Sequence, residues 1–233
     1  MRFNRFRRKR SLQLITYYKK NSSFSEEYRT LRTNISFAKA GGGLRSYLIT
    51  SPESGEGKST TAANLAVVMA QQGKEVLLID ADIRKPTVHA IFHTNNLRGL
   101  TNLLTGQGDL MSDTQVTGID KLSLLTSGPL APNPADLLSS EEMEKVIDEA
   151  KQHFDQVIID SPPALMVTDA QLLANLCDGL ILVVRNRMTS IDRAGKSADI
   201  LQKAKGKFLG VVLNDKKENM NSNNYYSYYS GDY

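Results

Sequence analysis

The chain has 233 residues, of which 40% are hydrophobic and 23% charged, with a formal net charge of +4. That length and apolar content can bury the core of one sizeable α/β domain, and no uninterrupted apolar run approaches the ~20 residues needed to span a bilayer. Cys177 is the only cysteine, which excludes an internal disulfide and reads as a small core residue on a helix.

In chain order, the first segment is a basic arm over residues 1–22. Residues 1–20 carry eight Lys or Arg and no acid, so the other 213 hold 21 basic against 25 acidic residues and net −4. This argues against a nucleic-acid-binding fold, which spreads basic residues over a structured face. With Phe3 and Phe6 interleaved, the arm suits either contact with anionic lipid or a disordered solubilising tail. Its start, Met-Arg-Phe-Asn-Arg-Phe-Arg-Arg-Lys-Arg, lacks the apolar stretch of a secretory signal.

A folded body over 23–214 follows. Ser23-Phe24-Ser25-Glu26 reads as a capping box opening a helix that stops at Gly41-Gly42-Gly43. On it Tyr28, Leu31, Ile35 and Ala38 share one face, while Glu26, Arg29 and Arg32 occupy another. A strand over 47–51 then leads through Pro52-Glu53-Ser54-Gly55-Glu56-Gly57 into a helix over 58–72 that starts Lys58-Ser59-Thr60. Strand, glycine-bearing turn and a helix opening on Lys-Ser-Thr is the order by which a chain holds a nucleoside triphosphate. Backbone N–H groups of Ser54, Gly55, Glu56, Gly57 and Thr60 would cradle phosphate at the positive end of the helix. Lys58 would reach the β- and γ-phosphates and the Ser59 hydroxyl would meet Mg²⁺. The strict pattern wants glycine at position 52, where this chain has Pro52.

Beyond the phosphate loop the pattern predicts strand 75–80, short helices near 87–93 and 99–105, strand 121–126 and helix 140–153. Strand 156–160, helix 168–176, strand 179–184, helix 190–204 and strand 207–213 complete it. Repeated βα units with continuous apolar strands imply an α/β fold with a parallel, helix-covered sheet. Residues 215–233 lack apolar periodicity, are rich in Asn, Ser and Tyr, and read as a disordered tail. His89 and His93 have a metal-like spacing but no third ligand nearby, and read as ordinary surface or core histidines.

Two strands end in acid. Val76-Leu77-Leu78-Ile79 runs into Asp80-Ala81-Asp82-Ile83-Arg84, and Gln156-Val157-Ile158-Ile159 into Asp160-Ser161-Pro162-Pro163. Ligands of open parallel sheets bind beyond the carboxyl ends of the strands, and Mg²⁺ takes one or two carboxylates together with phosphate and water. One aspartate after a strand is commonly a turn residue. Three at strand ends beside a phosphate loop point to a Mg–nucleotide site, and the absence of the guanine-reading Asn-Lys-x-Asp tilts the choice to ATP.

Gly-Glu-Gly-Lys-Ser-Thr, Leu-Leu-Ile-Asp-Ala-Asp-Ile-Arg and Val-Ile-Ile-Asp-Ser-Pro-Pro together resemble the bacterial tyrosine kinases of capsule and exopolysaccharide synthesis, in which they are the Walker A, A′ and B motifs. The resemblance extends to Glu26-x-x-Arg29-x-x-Arg32, to Pro132-Asn133-Pro134-Ala135-Asp136-Leu137-Leu138 and to the terminal tyrosines. It implies transfer of phosphate from ATP to tyrosine, with Lys58, Mg²⁺ and the loop amides neutralising charge. Asp80 or Asp82 would be the base, the family favouring Asp80, with Asp82 and Asp160 on the metal side beside Ser59. Arg84 would stabilise phosphate or contact an activator, or simply form a salt bridge at a helix start. Asn214 would hydrogen-bond adenine, or be a turn residue. The resemblance further implies a transmembrane activator at the inner face of the membrane, a cognate phosphatase, tyrosine-bearing protein substrates, a homo-oligomeric ring made through Glu26, Arg29 and Arg32, and autophosphorylation of Tyr225, Tyr226, Tyr228, Tyr229 and Tyr233. Related partitioning and division-site ATPases carry a signature lysine five residues before the loop lysine, where this chain has Glu53. A partitioning-type ATPase acting as a dimer switch, and a non-enzymatic nucleotide-gated adaptor, are the alternative readings.

Overall fold

Strands β1 (Ser46–Thr50), β2 (Val76–Asp80) and β5 (Gln156–Asp160) are buried at every residue, which is why their sequences are apolar without alternation. The computed structural model describes residues 14–38 and 43–216. Its sheet also contains β3 (Gln115–Val116), β4 (Leu122–Leu125), β6 (Gly179–Arg185) and β7 (Lys207–Asn214), in the order β3-β4-β2-β5-β1-β6-β7. All neighbours pair in parallel except the two-residue edge strand β3, which runs antiparallel to β4.

Helices cover both faces. In chain order they are α1 (Ile15–Tyr18), α2 (Ser23–Ala38), α3 (Lys58–Ala70), α4 (Val88–Phe92), α5 (Leu100–Leu104), α6 (Leu110–Asp113), α7 (Pro134–Leu138), α8 (Glu141–His153), α9 (Asp169–Ala174) and α10 (Ile191–Gln202). Tyr47, Ile49, Val76 and Leu78 point to the side of α2, α3 and α4, while Leu48, Leu77 and Ile79 point to the side of α5 to α10, the period-two alternation of a pleated strand. Helix α8 buries Met143, Val146, Ile147 and Ala150 on one stripe; its first turn is acidic and Lys151 and His153 close it, the order that complements the helix dipole.

Helix α3 is buried almost all round because α1 and α2 lie over it. Thr16, fully buried, gives Asn64 Oδ1 both its N–H, at 3.1 Å, and its hydroxyl, at 2.8 Å. The Tyr28 hydroxyl meets Thr61, and Arg32 Nη1 donates to the Val68 carbonyl at 3.0 Å. Leu14 and Thr16 are thus packed with α3, inside the stretch expected to be a free arm. The boundary expected at residue 22 misses this because a four-residue helix leaves no period to read. The helix cap also shifts: Ser22, not Ser23, accepts the Ser25 N–H, at 3.2 Å, and Glu26 turns to Arg29 at 2.6 Å rather than back over the helix start. Cys177 is buried as expected but lies between α9 and β6 rather than on a helix. The segments 1–13, 39–42 and 217–233, with most of the basic arm and all five tail tyrosines, lie outside the described residues.

Candidate active site

The loop from Ser51 to Gly57 turns from β1 into α3 with Gly55 at φ +84° and Gly57 at φ +95°, left-handed backbone that favours glycine. At Gly57 a second constraint applies: a Cβ there would stand 2.0 Å from Asn214 Nδ2. Pro52 serves where the strict pattern has glycine because the position needs neither a positive φ nor an N–H: only its carbonyl is used, by the Leu165 N–H at 3.3 Å. The N–H groups of Lys58, Ser59 and Thr60 belong to the first turn of α3 and have no partner in the preceding turn, so they are open to an anion at the positive end of the helix.

Register brings the acids under this loop. Asp80 and Asp160 are Cα partners on neighbouring strands, and Asp160 is also the partner of Ile49, the last but one residue of β1. Lys58, 8% exposed, extends over them, with Nζ 2.9 Å from Asp82 Oδ2, 3.5 Å from Asp160 Oδ1 and 3.2 Å from the Ser59 hydroxyl. The Ser59 hydroxyl also hydrogen-bonds Asp160. Burial alone would lower the pKa of Lys58; the charges of Asp160 and Asp82 outweigh it, and the ammonium is held more firmly than usual. For Asp80, burial and the Asp160 charge act together and push its carboxyl up to about 8, against backbone donors and Lys58. Those donors fix the side chain: Oδ1 accepts the Asp82 N–H at 3.2 Å, and Oδ2 accepts those of Thr87 and Val88 at 3.1 and 3.0 Å. Burial also raises Asp160.

Among the expected site residues, Lys58, Ser59, Asp80, Asp82 and Asp160 therefore converge, with Gly55, Glu56, Gly57 and Thr60 around them and Ser54 exposed on the loop. Arg84 lies within reach of the Asp82 charge but pairs with another acid. Its guanidinium makes a two-pronged pair with the fully buried Asp169 carboxylate at the start of α9, at 2.8 and 3.0 Å, the salt-bridge alternative for this residue. Asn214 does reach the site: Nδ2 donates to the Glu56 carbonyl at 2.9 Å and Oδ1 accepts the Asp215 N–H, leaving one hydrogen and one lone pair for a further partner. Asp169, Thr189, Arg185 and Arg193, which fasten Arg84 and the loop, carried no motif that could have singled them out.

The residues fit Mg–ATP. Asp82, Asp160 and the Ser59 hydroxyl, gathered around Lys58 Nζ, are hard oxygen donors of the kind that Mg²⁺ takes together with phosphate oxygens and water. At Gly55 a Cβ would meet only Met188 Cε, at 3.8 Å, so the loop backbone is open there, whereas at Gly57 Asn214 fills the space.

Comparison with known proteins agrees. A family model described as an AAA domain matches residues 48–207. Tyrosine-protein kinase YwqD of Bacillus subtilis (strain 168) is 50% identical over 205 residues, 88% of this chain and 86% of its own. This chain belongs to the bacterial tyrosine-protein kinase family. Among solved structures, the chimerical protein CapA2B2 superposes with a TM-score of 0.85 at 39% identity, covering 88% of this chain and 91% of that one. The septum site-determining protein MinD of Pyrococcus horikoshii OT3, complexed with Mg-ADP, shares the fold at a TM-score of 0.64 and 24% identity, over 72% and 69%. The kinase family thus stands nearer than the division-site ATPases, in the direction that Glu53 indicates.

Proposed function

We propose that this kinase transfers the γ-phosphoryl group of ATP to tyrosine, beginning with its own C-terminal cluster, in the control of capsule or exopolysaccharide synthesis. The observation that carries the reading is the placement of Lys58 between Asp82 and Asp160, directly above the in-register pair of Asp80 and Asp160. In the reaction the phenol oxygen forms a bond to the γ-phosphorus, the bond from that phosphorus to the β–γ bridging oxygen breaks, and ADP leaves. The phenol ionises near pKa ~10, so a carboxylate that accepts its proton assists. Asp80 takes this role: burial and the Asp160 charge push its pKa up to about 8, near neutrality, where a base works best, and its backbone donors hold it still.

Asp82, Asp160 and Ser59 would hold Mg²⁺, which neutralises phosphate charge when bound. Lys58 then exchanges its carboxylate partners for the phosphates, and the loop amides, Ser54 to Thr60, position them. Asn214 meets adenine with its remaining donor and acceptor.

Among the described residues no helix is long and apolar enough to cross a membrane. The family resemblance supports a transmembrane activator that brings the chain to the inner face of the membrane, a cognate phosphatase, and a ring made through Glu26, Arg29 and Arg32. The test of the activity is incubation with Mg-ATP, with and without Lys58→Met and with any required activator, followed by detection of phosphotyrosine and free phosphate. Phosphotyrosine that depends on Lys58 supports the kinase. Phosphate release alone would replace it with a partitioning-type ATPase, and neither product with a nucleotide-gated adaptor.

A further inference from the structure

Glu56 lies in the phosphate loop between two left-handed glycines, yet it is fully buried. Its carboxylate hydrogen-bonds the Ser51 side chain within the loop and carries two further partners. Oε2 accepts the Glu53 N–H at 2.9 Å, across the loop's own turn. Oε1 accepts the hydroxyl of Thr189, in the turn between β6 and α10, and the Thr189 oxygen accepts the Arg185 N–H at 2.8 Å. The same wall reaches the loop at three further points. Arg185 Nη1 donates to the Gly55 carbonyl at 3.2 Å, Asn214 Nδ2 donates to the Glu56 carbonyl, and Arg193 pairs with the Glu53 carboxylate.

Glycines at 55 and 57 make the loop conformation accessible without making it preferred. Something outside the loop has to hold it, and among these contacts only the Glu56 carboxylate joins the loop's turn and the neighbouring wall through one buried side chain. We propose that Glu56 is a positioning residue for phosphoryl transfer, latching the phosphate loop to Thr189 so that the loop amides stand ready before ATP arrives. This rests on the reading of the loop as the ATP phosphate site. In this role the Glu56 carboxylate acts through the loop, whose amides, its own included, meet the phosphate; the latch lowers the ordering cost of binding.

The test uses the full-length chain and a fluorescent ATP analogue with Mg²⁺. Thr189→Val keeps the side chain's shape and removes the hydroxyl; Thr189→Ser keeps the hydroxyl. The expected result is a dissociation constant weakened about tenfold in Thr189→Val, the scale typical of outer partners that hold a binding group in place, with restoration in Thr189→Ser and a wild-type circular dichroism spectrum in both. Glu56→Ala should weaken binding at least as far and Glu56→Gln should recover most of it, since the amide oxygen still accepts the Glu53 N–H. The Glu56→Ala, Thr189→Val double variant should be no weaker than Glu56→Ala alone, the non-additivity of a shared contact. Wild-type affinity in Thr189→Val, or equal weakening in Thr189→Val and Thr189→Ser, would overturn the latch, and the Thr189 pair decides this even if Glu56→Ala does not fold. Analogue affinity reads the latch and phosphotyrosine formation reads the kinase, so either can fail without the other.

Discussion

At Lys58 the side-chain nitrogen lies 2.9 Å from Asp82 and 3.5 Å from Asp160, with Asp80 next in register, so one ammonium offsets three carboxylates in a buried site. Replacing it with methionine removes the charge while keeping most of the stem. The stranded acids have an outlet, because like charges so close share a proton instead of ionising together, and burial already biases Asp80 and Asp160 towards the neutral form. Lys58→Met is therefore expected to fold, with a circular dichroism spectrum like the wild type. It should lose phosphotyrosine formation by at least about 10²–10³-fold, the scale of one lost charge-stabilising group. Asp82→Ala should behave alike, and near-wild-type autophosphorylation in either purified variant would overturn the site. The strand-end acids were legible because an aspartate closing an apolar run stands out. Asp169 and Thr189 were not, since their partners Arg84 and Glu56 lie far away in sequence and only the folded chain joins them.

Among the elements, the long apolar strands and α8 could be read from their residues, because burial on both faces or on one helical stripe writes a pattern. The pieces that escaped have no room for one. Helix α1 is four residues with a buried threonine satisfied by Asn64, and β3 is two residues with Val116 largely exposed. Helix α6 is also short, and it is held from outside: Arg98 grips Asp113 through Nε at 2.6 Å and Nη2 at 3.1 Å and reaches the Gln107 carbonyl. The Arg98 hydrogen bonds hold the Asp113 carboxyl below the usual range, more than burial raises it. A depressed folded value means that the stabilisation is present above the unfolded carboxylate pKa of ~3.9 and is lost as pH falls through the folded value. Asp113→Asn should thus melt below the wild type at neutral pH, and the two should converge in acid. A gap in melting temperature that stays constant from neutral pH to below the folded value would show that the pair does not contribute through charge.

For the whole molecule, assembly and the tail belong together. Glu26 and Arg29 pair with each other and Arg32 lies against the Val68 carbonyl, so a ring made through this stripe has to exchange those local partners for opposite charges on a neighbour. The local Glu26–Arg29 pair is worth only about 0.2–0.5 kcal/mol, and the exchange is affordable. Replacing all three residues with alanine should leave a folded chain that sediments as a smaller species; sedimentation like the unphosphorylated wild type would move the interface elsewhere.

The tail starts beside the site, since Asn214 donates to the Glu56 carbonyl and Arg185 joins Gly55 to Asp215. From there the 19 residues from 215 to 233 can span at most ~60 Å when extended, enough to reach an adjacent subunit. Five of the nine tyrosines lie at 225, 226, 228, 229 and 233. Phosphorylating all five adds roughly −7 to −10 charges at pH 7, at about −1.5 to −2 each. A segment so charged is repelled from a site that already contains three carboxylates and the phosphates of ATP. Unmodified tails should therefore favour the assembled ring, and phosphorylated tails should leave it until a phosphatase resets them. Mass spectrometry after autophosphorylation should find phosphate mainly on these five residues; phosphate mainly on Tyr17, Tyr18, Tyr28 or Tyr47 would sink the tail as the acceptor. Sedimentation of the fully phosphorylated protein should show a smaller particle, and an unchanged one would separate tail phosphorylation from assembly.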